Sequence, residues 1–110
     1  MKKKIKIPII DAEIIVVKAK TIKDGLILAG LVNEEDKGEL ALCFHIHSRT
    51  IALIFPEEVT TGLIVHECKH ALNFLFEDIR HQLDTNNDEL ECYFLQYIFE
   101  QVYKTLNVKN

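Results

Sequence analysis

Residues 64–74 read IVHECKHALNF. This stretch decides how the C-terminal half folds, because its apolar and polar positions recur at the period of a helix and not of a strand. At about 100° per residue, Ile64, Val65, Cys68, Ala71, Leu72, Leu75, Phe76 and Ile79 share one broad face. His66 and His70 fall together on the opposite side, and Asn73, Glu77 and His81 continue their stripe. The spacing predicts a helix over about residues 60–83.

Working outward, the polar break DTNNDE precedes a second amphipathic stretch, and a second helix is expected over about 88–104. Upstream, ELALCFHIHSRTIALIFP (39–56) holds two apolar runs around a polar turn at Ser48 and Arg49. That is the pattern of a hairpin, with Pro56 ending its second strand. Residues 4–10 and 13–18 are rich in Ile and Val and predict strands, with Pro8 marking an edge or a bulge. Residues 21–32 are ambiguous: Thr21 and Asp24 resemble a helix start, but Gly25 and Gly30 weaken any helix. Gly38 closes a polar loop, NEEDKG. The expected architecture is one α+β domain over 1–110: a small, mostly antiparallel sheet followed by two helices.

Composition limits the function classes. Of the 110 residues, 48% are hydrophobic and 27% charged, a globular balance rather than a disordered one. A net charge of −4 disfavours nucleic acid as a partner. The N-terminal lysines, residues 2–4 and 6, alternate into Ile5 and Ile7 as the start of a solvated strand would. No apolar run reaches the roughly 18 residues that span a bilayer. Pro8, Asp11 and Glu13 interrupt any secretory h-region, so no membrane association and a cytoplasmic location are expected. Cys43, Cys68 and Cys92 are widely spaced among apolar neighbours, which suits small buried hydrophobes better than a disulfide framework or a thiolate site.

The chemistry concentrates in His66-Glu67-Cys68-Lys69-His70, an HExxH motif. The i, i+4 spacing sets two imidazoles side by side, as two ligands of one tetrahedral Zn²⁺ require. Glu67 is displaced around the helix, where it faces a water on the ion rather than the ion and serves as general base. The plainer alternative is a solvated helix face that happens to carry His and Glu. A third ligand is still needed, and both Glu89 and Glu91 follow the turn. By helical phase Glu91 sits amid apolar Phe94, Leu95 and Ile98, where a carboxylate needs a partner. It also has capping-box spacing from Asp88, while Glu89 could be tied to Asn86 in the same way.

Eighteen residues separate His70 from Glu89. HExxH with a glutamate at that distance resembles the gluzincin metallopeptidases, including minimal gluzincins and small phage-encoded HExxH proteins. The likeness rests on His66-Glu67-Cys68-Lys69-His70-Ala71, Asn87-Asp88-Glu89 and Tyr93 and covers roughly residues 51–103. It implies a zincin-like fold with His66, His70 and Glu89 as zinc ligands, Glu67 as base, and a peptide or protein as substrate. The alternative is a zinc-binding accessory or host-interaction protein without hydrolytic activity. Residues 51–55 are expected as an edge strand that pairs with an extended substrate. His45 and His47 share one strand face as surface residues or cleft neighbours, and Tyr93 is either an oxyanion donor or a packed aromatic.

Overall fold

Two nearly continuous apolar runs, IIVV at 14–17 and IALIF at 51–55, lie side by side at the centre of a four-stranded sheet. The computed structural model describes residues 1–107. Its strands are β1 (Lys2–Ile7), β2 (Ala12–Ala19), β3 (Leu42–His47) and β4 (Thr50–Pro56). Its helices are α1 (Ile22–Leu28), α2 (Thr61–Asp78) and α3 (Glu89–Leu106). The α+β class expected from the sequence holds. The sheet order is β1-β2-β4-β3. The outer pairs are antiparallel and the central β2–β4 pair is parallel, so the sheet is mixed.

Both faces of the central strands are covered, which is why they are apolar without alternation. Ile14, Val16, Ile51, Leu53 and Phe55 pack with Ile64, Leu72, Leu75, Ile98 and Val102 from α2 and α3. Ile15, Val17, Ala52 and Ile54 pack under Ile22 and Leu26 of α1. Each such Val, Leu, Ile or Phe side chain contributes about 1.5–3 kcal/mol when fully buried. The placement corrects the expectation for residues 51–55. They form the interior strand β4, paired on both sides, and the free edges belong to β3 and to lysine-rich β1. Charge along β1 discourages edge pairing there. No such run of charge occupies β3, LCFHIH.

The ambiguous segment resolves into α1. Thr21 caps it, its hydroxyl accepting from the Asp24 amide at 3.0 Å. Helix α2 is capped by Thr60, which accepts from Leu63 at 3.2 Å. It stops at Asp78, five residues before the expected end at 83. There Arg80 takes a left-handed conformation (φ 59°). The His81 amide donates to Phe76 O at 2.8 Å and the Arg80 amide to Glu77 O at 3.1 Å. This is a Schellman termination built without glycine, which is why composition did not announce it. No helix among the described residues is long and apolar enough to cross a membrane.

Candidate metal centre

Helix α2 buries Ile64, Cys68, Ala71, Leu72 and Leu75 against the sheet, which fixes its rotation. Val65, expected on that face, is exposed. With the rotation fixed, His66 and His70 emerge into a cleft of about 600 Å³ beside the N-terminal half of the helix. Its opposite wall is Glu39, Leu40 and the start of β3, including Cys43, and Phe74 lines it farther along α2.

The two imidazoles meet with Nε2 atoms 3.2 Å apart and rings nearly perpendicular at 73°. Two nitrogens held by one tetrahedral zinc at about 2.0–2.1 Å would lie roughly 3.3–3.4 Å apart. The observed separation therefore matches a shared ion as well as a hydrogen bond between the rings. Glu67 belongs to the same group: ligand atoms of His66, Glu67 and His70 all lie within 4.8 Å of one another.

Glu67 sits at the boundary between the histidine stripe and the apolar face. It is only 5% exposed, and its Oε2 is buried without a hydrogen-bond partner. Burial holds its carboxyl above the ordinary value of 4.5, while His66 and His70 pull it down and Glu39 adds to the rise. A carboxylate whose affinity for a proton is raised in this way, beside two potential metal ligands, suits proton transfer. Burial likewise pushes the Cys43 and Cys68 thiols up to about 12, so both are protonated and act as apolar fillers. Cys92, expected to be buried, is exposed.

The other residues singled out in the sequence are placed elsewhere. Glu89 opens α3, is exposed, and is not in the group formed by His66, Glu67 and His70. It lies about 160° around the helix from Glu91, the residue that α3 buries at this end. Glu91 is engaged locally: its Oε1 accepts from the Asp84 amide at 3.1 Å and faces His81 Nε2 at 3.3 Å. Its own backbone amide and that of Asp84 hold its carboxyl below 4.5, against the effect of burial, with His81 adding to the fall. Glu91 thus secures the approach to α3, close to the capping role its spacing suggested, while Asp88 makes no side-chain cap.

Tyr93 is 67% exposed and lines a separate apolar hollow with Ile7, Ile9 and Tyr97. His45 stacks on Phe74 at 4.7 Å and bonds Asp78 through Nε2 at 2.8 Å. It therefore braces the far end of the cleft. His47 follows an irregularity in the β3–β4 pairing and is exposed. Lys69 donates to Asn73 along the helix at 2.8 Å and does not line the cleft of the histidines.

Sequence reasoning missed Glu39 and Asp78, the partner of His45. Glu39 lies at the end of an acidic loop whose composition is that of a solvated turn. Only its position before β3, the strand that forms the cleft wall, could have drawn notice. Comparisons of the chain with protein-family models, with curated proteins and with solved structures find no match.

Proposed function

We propose that this chain is a small zinc-dependent peptidase whose centre is the His66–Glu67–His70 group. The observation that carries the reading is the 3.2 Å approach of the two Nε2 atoms, with a buried, unpartnered carboxylate oxygen in the same cleft. Imidazole pairs suit zinc among the common divalent ions, and the residues present fit it. Bound there, zinc would polarise a substrate carbonyl and make water acidic at neutral pH.

The chain's own residues supply the rest. His66 and His70 hold the ion, their orientation set by the packing of α2. Glu67 accepts a proton from the attacking water and delivers it to the departing amine, a role for which its raised affinity for a proton suits it. The free edge of β3 offers backbone groups that can pair with an extended peptide beside the histidines. Leu40 and Leu63 give the cleft apolar walls. An edge strand beside a helix bearing HExxH accords with the zincin-like arrangement that the motif suggested.

The test is cleavage of peptide mixtures by zinc-loaded protein, with chelator sensitivity as the control. Glu67→Gln should keep its zinc and its fold while losing turnover by about 10²-fold or more. Indistinguishable peptide profiles from the wild type and Glu67→Gln would refute hydrolysis and favour a zinc-binding accessory role.

A further inference from the structure

A catalytic zinc site takes three protein ligands and leaves the fourth position open. His66 and His70 supply two, and Glu67 is committed to proton transfer in the mechanism above. Neither Glu89 nor Glu39 belongs to the group whose ligand atoms lie within 4.8 Å of one another, but Glu39 lines the cleft and Glu89 does not. The cleft itself contains one further carboxylate, Glu39, on the wall facing α2. It is half-buried and directly precedes the cleft-lining stretch that leads into β3.

Three observations bear on what Glu39 does there. The first is charge: two carboxylates, Glu39 and Glu67, line the cleft, and no Lys or Arg lines it. A pocket that gathers acid groups without a basic one is suited to a cation. The second is the buried Oε2 of Glu67, which has no donor. An unsatisfied carboxylate oxygen is costly, and positive charge in the cleft would offset that cost. The third is the loop that carries Glu39. Gly38 turns it with φ +84°, and the Gly38 amide donates to Asp36 Oδ1 at 2.8 Å. The Lys37 amide donates to Glu39 Oε2 at 3.0 Å, a local contact at an exposed position that a metal would readily replace. Residues 33–41 form neither helix nor strand, so shifting this carboxylate breaks no ladder of backbone bonds.

We propose that Glu39 is the third protein ligand of the metal, reaching it from the loop before β3. This inference rests on the reading of His66 and His70 as a metal pair. It makes the site composite, with two ligands from one wall of the cleft and one from the other. Binding would then draw the 33–41 loop toward α2 and narrow the cleft mouth.

Calorimetric titration with Zn²⁺ of the untagged full chain tests the proposal, with circular dichroism confirming that each variant is folded. Wild type should bind one zinc. Glu39→Gln should weaken binding about a hundredfold, at or beyond the upper end of what removal of a supporting residue costs, and Glu89→Gln should stay within about threefold of wild type. Protection of the 33–41 loop from proteolysis on adding zinc should appear in wild type and vanish in Glu39→Gln. Wild-type affinity in Glu39→Gln would overturn the role of Glu39 while leaving the histidine pair standing. Loss of affinity in Glu89→Gln instead would overturn it in favour of the sequence spacing. Failure of the wild type itself to bind would overturn both the ligand and the metal centre.

Discussion

Replacing Gly25 by alanine sets two known magnitudes against each other. Gly25 lies in the middle of α1, where alanine is favoured over glycine by about 1 kcal/mol in a free helix. Here, however, α1 lies so close on the sheet that a Cβ at position 25 would come 2.3 Å from Ile54 Cγ2. Val17 Cγ1 stands at 3.6 Å, and both side chains are fully buried in the centre of the sheet. Neither can swing into solvent, so the helix or the strand must shift. Overpacking of this kind costs about 1–3 kcal/mol. Taking its middle value, the net loss is about 1 kcal/mol, or roughly 4 °C in Tm for a chain of this size. Thermal unfolding of Gly25→Ala measures it. The sharper check is the double-mutant cycle with Ile54→Ala, which removes the clashing methyl. In that background Gly25→Ala should become neutral or stabilising, giving a coupling of about 1–2 kcal/mol. A Tm at or above wild type for Gly25→Ala alone, or additive effects in the cycle, would refute the close approach of α1 to β4.

Asp78→Ala should lower stability by about 1–2 kcal/mol in denaturant unfolding. It removes the acceptor of the Arg49 amide (2.7 Å) and of His45 Nε2 (2.8 Å), partly offset by relief of an acid at a helix C-terminus. The carboxyl of Glu91 is held below 4.5 by backbone donors, so its contribution is present above 4.5 and is lost as pH falls through its lowered value. The Tm gap between wild type and Glu91→Gln should accordingly narrow as pH falls below 4.5; a gap that widens in acid would reverse the sign. Chelation should lower Tm but leave a cooperative transition, because the two apolar clusters form without the metal. Complete unfolding on chelation would make the ion structural.

Local pattern carried most of the elements and little of their arrangement. The hairpin at Ser48–Arg49 was legible as two apolar runs around a polar turn, and the two late helices as runs with helical period set off by polar breaks. Helix α1 was not, since Gly25 within it and Gly30 just beyond it argue against a helix until the close contact with Ile54 supplies a reason for Gly25. The interior place of β4 leaves one sign in the sequence: IALIF does not alternate, as a strand covered on both faces need not. The exposed site residues were legible for a chemical reason, since HExxH places both imidazoles by helix geometry alone. The facing wall was not, because Glu39 comes from a loop whose sequence does not record what it folds against. The same limit applies to Glu89: spacing along the chain counts residues, but the angle around α3 decides which carboxylate points where.

The proposed sharing of one ion by His66 and His70 is read by elemental analysis of protein purified without added metal or a histidine-rich tag. Close to one zinc per chain is expected in the wild type and little in His70→Ala, with both proteins folded. Wild-type protein free of any transition metal, with a Tm indifferent to both zinc and chelator, would contradict it.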